Sequence, residues 1–224
     1  MTPAKRKLIP KLSRWAGRLV PEGPASVRLM GHRNYVGGQW DAIGKLQFDF
    51  TVQQGLEPSH CLLDIGCGAL RGGVRFIRYL DPGNYLGMDK EQTLIDAGVA
   101  RELGPDLAAE KRPEFVVSSA FEFERFSKTP AYSIAQSLFT HLTEADIRRC
   151  LGALRANVEP GHVCLATFFE DDERAEPEQS HSFSLSVFPR EAILAMGRDA
   201  GFAPAYIGDW GHPRGQVMVR YVAE

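Results

Sequence analysis

The 224-residue sequence has no uninterrupted apolar run approaching the roughly 18 residues of a membrane-spanning helix, which excludes such a span. It has only 4 cysteines, at positions 61, 67, 150 and 164, with no CxxC pair and no disulfide-framework spacing. A reducing cytoplasm is the simplest setting for that pattern. The basic N-terminus is followed by no apolar core of roughly 7–15 residues, so no secretory leader is expected. Charge of one sign is not in excess: 26 Lys+Arg stand against 28 Asp+Glu, which argues against a dedicated nucleic-acid binder. There is no internal repeat and no low-complexity tract. What remains is an ordinary globular composition, 44% hydrophobic, at a length suited to one large domain or two small ones.

The charges are unevenly laid out. Residues 1–20 carry Lys5, Arg6, Lys7, Lys11, Arg14 and Arg18 and no acid, leaving the rest of the chain with 20 basic and 28 acidic residues. Leu8, Leu12, Trp15 and Leu19 recur there at helical spacing. Such an amphipathic helix can pack on the body of the protein as a lid, lie on an anionic membrane surface, or bind RNA. The Pro/Gly-containing stretch Val20 to Ala25 follows it. Residues 1–32 therefore read as a basic extension or lid, and 33–224 as the main domain.

From Val36 onward, helical and strand-like patterns alternate. Trp40, Ile43, Leu46 and Phe50 fall on one helical face, with Gly55 as the C-terminal stop. Strands are predicted at Cys61–Ile65, Tyr85–Asp89, Phe115–Ser118, Tyr132–Gln136, His162–Phe169, Ala205–Ile207 and Gln216–Val222. Helices are predicted at Gly72–Leu80, at Glu91–Leu103, after Thr143, and from Pro189 to Gly201. This rhythm predicts a mostly parallel sheet of seven strands covered by helices on both faces. The last two strands are separated by only about eight residues, Gly208 to Gly215. That is too short for a parallel crossover, so the pair must be antiparallel.

In open sheets of this kind, ligands bind beyond the carboxyl ends of the strands. The turn after the first strand reads Asp64-Ile65-Gly66-Cys67-Gly68-Ala69-Leu70-Arg71-Gly72-Gly73. Gly66 and Gly68 allow close backbone approach, but Arg71 stands where a dinucleotide fingerprint has its third glycine. An acid just before the first glycine would repel a pyrophosphate and attract an ammonium group. Asp89 ends the second strand, placed to accept hydrogen bonds from two ribose hydroxyls. Ser118, Ser119, Ala120 and Phe121 after the third strand form a small polar and apolar set suited to an adenine ring. A cationic amino-acid end, a ribose and an adenine together describe S-adenosylmethionine.

The segments LLDIGCGALRGG (62–73), YLGMD (85–89), AQSLFTHLT (135–143), ANVEPGHVCLATFF (156–169) and DAGF (199–202) resemble class I S-adenosylmethionine-dependent methyltransferases. DIGCG is the most specific of them, and PGH departs from the family's usual PGG. The resemblance implies a Rossmann-like α/β fold with an antiparallel last strand. It places Asp64, Gly66 and Gly68 around the methionine part, Asp89 at the ribose, and Ala120 with Phe121 at the adenine. Cys67, Arg71, Lys90, Ser119 and Ser137 complete the expected cofactor set, and S-adenosylhomocysteine is the implied product.

Methyl transfer from a sulfonium needs alignment and exclusion of water, and a hydroxyl acceptor also needs a base. The carboxyl ends of the fourth to sixth strands supply candidates. His141 is first as base and His212 second; Phe139, Glu170, Trp210 and Arg214 are expected to face the acceptor. Cys67 reads as an apolar filler, and the acidic triplet Asp171-Asp172-Glu173 lacks matching ligands elsewhere, so no metal is expected. His181 belongs to a loop, Pro177 to Ser186, read as a cover, and Tyr35 and Trp40 to an N-terminal segment that could close over the cofactor. The expected activity is methylation of a small molecule at oxygen, since AQSLF replaces the NPPY-like tetrad of amine-methylating enzymes. An RNA or protein acceptor, or a cofactor-binding partner subunit without catalysis, are the alternatives.

Overall fold

A computed structural model describes residues 20–224. The predicted basic helix at the N-terminus lies almost wholly outside the described residues. Among these, no helix is long and apolar enough to cross a membrane. The chain opens with α1 (Pro24–Met30), α2 (His32–Tyr35) and α3 (Trp40–Gln53). It continues through β1 (Leu62–Ile65), α4 (Gly73–Tyr79), β2 (Tyr85–Asp89), α5 (Gln92–Gly98), α6 (Pro105–Lys111) and β3 (Glu114–Val117). The second half holds β4 (Tyr132–Ala135), α7 (Glu144–Ala156), β5 (Val163–Glu170), β6 (Val187–Phe188), α8 (Arg190–Asp199), β7 (Phe202–Asp209) and β8 (Val217–Ala223).

The main sheet runs β3-β2-β1-β4-β5-β8-β7. β1 pairs in parallel with β2 and β4, β2 with β3, and β4 with β5. β8 runs antiparallel to both neighbours, as the short connection from β7 demands. The strand order reverses direction between β1 and β4, which is where such sheets place ligands. β1 is buried at all four positions, and it sits mid-sheet because a strand apolar on both faces needs helices on both sides.

Four details depart from the sequence-based expectation. An eighth strand, β6, pairs in parallel with Phe169–Glu170 and brings the chain back to the sheet's carboxyl edge. The predicted helix Glu91–Leu103 is α-helical only to Gly98, then makes a π-helical turn over Val99–Leu103. Gly104, at φ +83°, ends it, and Pro105 starts α6. On α3 the buried stripe is Ile43, Gly44, Gln47 and Thr51, rotated from the purely apolar face. Polar Gln47 points inward because it packs on Gly72, beside the turn after β1. In α8, Pro189 is the N-cap and Arg190 the first helical residue.

One core, including Leu63, Ile65, Ile147, Leu151 and Phe168, fills the face under α7 and α8. A second, including Leu62, Phe76, Ile77, Tyr85 and Ile134, fills the face under α4. A third, Val27, Tyr35, Ala69 and Leu94, joins the N-terminal segment to the β1–α4 turn and to α5.

Close approach of helix to turn gives a test. A Cβ at Gly44 would lie 2.4 Å from the Arg71 carbonyl oxygen, whereas one at Gly152 on exposed α7 surface meets nothing within 4 Å. Gly44→Ala is expected to destabilise by about 1–3 kcal/mol through forced backbone movement. Gly152→Ala is expected to stabilise by about 0.5–1 kcal/mol through helix propensity. Urea melts of the two variants against the parent check both signs.

Candidate functional site

The β1–α4 turn is locked onto the end of β2. The Gly66 and Cys67 amides both donate to the Met88 carbonyl, at 2.8 and 2.9 Å. The Gly68 amide donates to Asp89 Oδ2 at 2.9 Å, and the Glu91 amide to Asp89 Oδ1 at 2.9 Å. Gly66 and Gly68 have φ of +75° and +52°, so the turn needs residues that tolerate the left-handed region. A Cβ at Gly66 would come within 3.1 Å of Leu138, and one at Gly68 within 3.0 Å of Val36. Each carboxylate oxygen of Asp89 uses one acceptor site on an amide and keeps another for a ligand.

Similar features recur at neighbouring strand ends. After β3, Ser118 Oγ accepts from the Ala120 amide at 3.0 Å and donates to Glu122 at 2.8 Å, and Phe121 is held at φ +59°. After β4, Ser137 stands at φ +57° with its amide on Thr167 Oγ1 at 2.7 Å. Non-glycine residues in this region cost of order 1–3 kcal/mol and tend to cluster at working sites. Here the walls of a cavity of about 820 Å³ carry both.

The cavity floor is electrostatically unusual. Asp64 is 3% exposed, and burial pushes its carboxyl up to about 7; the Tyr85 hydroxyl, donating to Oδ2 at 2.8 Å, works against that rise. Burial also raises the Asp89 carboxyl, against the two amides that favour its charge. Arg71 is lowered to about 10 by burial and by the nearby Arg214 cation. Its Nη1 donates to the Val36 and Gly38 carbonyls at 2.9 and 3.3 Å. Burial raises the Cys67 thiol well above its usual range, which suits an apolar filler and not a nucleophile.

His141 lines the same cavity. Its Nδ1 lies 2.6 Å from the Ser184 carbonyl, which can only accept, so Nδ1 carries the proton and Nε2 is the acceptor side. Burial lowers its pKa, favouring the neutral ring. The cover is zipped along the same stretch: the Ser186 amide donates to the Thr140 carbonyl at 2.8 Å, and the His181 amide to the His141 carbonyl at 3.2 Å. The Tyr35 ring meets Phe183 edge to face at 5.0 Å. Glu22 joins cover to floor by accepting from Lys90 Nζ at 2.7 Å and from the Ser182 amide. Against the upward push of partial burial, those bonds hold its carboxyl at about 2.

Asp64, Gly66, Cys67, Gly68, Arg71, Asp89, Lys90, Ser119, Phe121, Ser137, His141 and Arg214 all line the cavity. Five expected site residues do not. Ala120 is exposed at the rim. Phe139 is fully buried in the core under α7. Glu170 is engaged by Arg190 at 3.1 Å and by the Tyr206 hydroxyl. Trp210 packs against Phe50 at 5.2 Å and donates to the Gln216 carbonyl at 3.0 Å. His212 stacks on Trp210, and its Nδ1 accepts from the Arg214 amide at 3.3 Å, fixing the β7–β8 loop. Burial lowers it to about 4. No metal-holding group of His, Cys, Asp or Glu exists among the described residues.

Several lining residues carried no motif: Met30, Asn34, Val36, Phe183, Leu185 and Gln216. The Gly37-Gly38 pair, both at positive φ, is where the segment holding Met30, Asn34 and Val36 turns.

No family model matches the sequence. Among solved structures, magnesium protoporphyrin IX methyltransferase from Synechocystis with bound S-adenosylmethionine superposes at TM-score 0.62. It shares 15% identity over 88% of this chain and 90% of that one. CalS10, an amino pentose methyltransferase from Micromonospora echinaspora, gives 0.61 at 17% identity, covering 88% and 97%. The glycopeptide N-methyltransferase MtfA gives 0.62 at 15% identity, covering 83% and 91%. The chain thus has the Rossmann-like fold of class I methyltransferases.

The Glu22 contacts make the cover testable. Glu22→Ala is expected to speed hydrogen exchange at the Ser182 amide roughly tenfold, the scale of one charge-assisted hydrogen bond on a partly exposed group. Because the folded pKa is depressed, the parent's contact is whole above about 4.5 and is lost as pH falls toward about 2.

Proposed function

We propose that the protein is an enzyme that transfers a methyl group from S-adenosylmethionine to an oxygen of a small molecule. One observation carries this reading: a buried carboxyl at the end of β1 and a second at the end of β2 face one cavity, with a guanidinium beside the first. Asp64 and Arg71 together suit a zwitterionic amino-acid end, ammonium to Asp64 and carboxylate to Arg71. The free acceptor sites of Asp89 suit a vicinal diol, and Phe121 with Leu142 and Ser119 suits a purine. That the three neighbours are methyltransferases, of a porphyrin, an amino pentose and a glycopeptide, supports the reading.

When bound, S-adenosylmethionine supplies a methyl whose bond to sulfur breaks as an acceptor oxygen bonds to it, the electron pair leaving on sulfur as S-adenosylhomocysteine. His141 takes the acceptor's hydroxyl proton at Nε2, because Ser184 holds the proton already present on Nδ1. The cover of residues 178–185 and the segment from Met30 to Gly37 exclude water from the reacting atoms.

Titration with S-adenosylhomocysteine by calorimetry tests the donor site. Above about pH 7 Asp64 is ionised and ready for an ammonium; below it, the carboxyl must first lose a proton. Affinity is therefore expected to fall by up to about tenfold per pH unit below 7, and Asp64→Asn to flatten that dependence. No heat at any pH would end the proposal.

A second measurement addresses the base. His141→Ala should leave S-adenosylhomocysteine affinity within about twofold and lower turnover by about 100-fold or more, the scale of a lost general base. Turnover equal to the parent's would remove His141 from the mechanism.

A further inference from the structure

The donor reading accounts for one end of the cavity and leaves the other, at the carboxyl ends of β4 and β5 and the start of β8, without an assigned ligand. The charges of the two ends differ. Asp64, Asp89 and Glu91 all belong to β1, β2 and the start of α5. The other lining carboxylates, Asp146 and Glu178, are already engaged within the protein. At the β4–β5–β8 end the polar groups are Gln136, Ser137, His141, Arg214 and Gln216, and none is acidic.

Two of these are donors left over from folding. Gln216 is 3% exposed, and its Oε1 accepts from Thr167 Oγ1 at 2.8 Å, Ser137 Oγ at 3.0 Å and Gln136 Nε2 at 3.3 Å. Three donors on one oxygen fix the orientation of the amide, and its Nε2 has no hydrogen-bond partner among the described residues. Arg214 donates one Nη to the Gly37 carbonyl and forms no ion pair among those residues. Its charge is felt at both Arg71 and His141. A cation repelled by a second guanidinium and lacking any carboxylate is a poor structural device and a good anion anchor. Beside this end, Tyr35 and Phe183 supply an aromatic wall.

We infer that the acceptor is a small aromatic hydroxy acid, whose carboxylate is held by Arg214 and the Gln216 amide while its hydroxyl faces His141. That the bound acid is the methyl acceptor rests on the methyl-transfer reading; the anion site itself does not. A cationic amine is disfavoured at this end, because it would meet the Arg214 guanidinium and no free carboxylate. This separates the chain from the glycopeptide N-methyltransferase among its structural neighbours.

The test is calorimetry on the full chain, with and without saturating S-adenosylhomocysteine. The probes are 4-hydroxybenzoate, 4-hydroxycinnamate, their methyl esters, and tyramine. At least one acid is expected to bind, with its ester and tyramine at least tenfold weaker. Arg214→Gln should weaken the acid about 10- to 100-fold, as loss of a charge-assisted contact does, and leave S-adenosylhomocysteine affinity within about twofold. Arg214→Lys should recover part of the loss. Arg214 is exposed, so unchanged thermal melting is expected of both variants. Acid binding that depends on Arg214 but occurs without any S-adenosylhomocysteine binding would support the anion site and defeat the donor reading. Esters or tyramine binding as well as the acids, or no probe binding, would overturn the inference whether or not the donor product binds. Equal loss of acid and S-adenosylhomocysteine affinity in Arg214→Gln would also overturn it, by assigning that guanidinium to the donor's own carboxylate.

Discussion

The site depends on the lock between the first two strand ends. Two consecutive amides of the β1–α4 turn share the Met88 carbonyl, and a third reaches the Asp89 carboxylate. Losing a buried partner of this kind costs about 1–3 kcal/mol, so the four bonds that include the Glu91 amide define one geometry and not a range. Everything around the cavity is referred to this lock. α5 packs so closely that a Cβ at Gly98 would lie 2.7 Å from the Ala69 carbonyl oxygen. α3 approaches the same turn through Gly44, and Val36 sits over Gly68.

A second consequence is electrostatic. Holding a turn this close to two strand ends buries both carboxyls, and burial disfavours their charged forms. The floor is therefore poised: Asp64, at about 7, sits near the point where a cationic partner decides its charge. The roof is built differently, from contacts between segments distant in the chain. Glu22 ties Lys90 to the Ser182 amide, Tyr35 meets Phe183, and the Ser184 carbonyl fixes the proton on His141. Floor and roof meet in one respect, since the cover that closes the cavity also sets which nitrogen of His141 can accept a proton.

Much of the fold was legible along the chain. Short apolar runs marked β1, β2 and β5, the first of them stopping at Gly66, because a strand buried on both faces must be largely apolar. The capping residue Thr143, whose Oγ1 accepts from the Asp146 amide at 3.2 Å, marked α7. The β1–β2 end of the cavity was legible too, in that Asp64, Gly66, Gly68 and Asp89 all line it. β6 was not legible, because two residues carry no periodicity. Nor was the inward face of α3, where Gln47 follows a contact with Gly72 and not hydrophobicity.

The β4–β5–β8 end of the cavity divides differently. Phe139, Trp210 and His212 stand near strand ends in sequence, yet core packing and ring stacking claim them. Gln216 and Phe183 had no motif and line the cavity. Local chemistry, expressed through strand periodicity and left-handed turns, settles within a few residues, and the sequence alone determined the sheet, its antiparallel end and the glycine turn after β1. Which side chains surround the second half of the cavity is decided by segments more than a hundred residues apart, Tyr35 against Phe183 and Glu22 against Ser182. Only the tertiary structure brings those segments together, because their contacts satisfy partners on other elements and leave no periodic trace in either one.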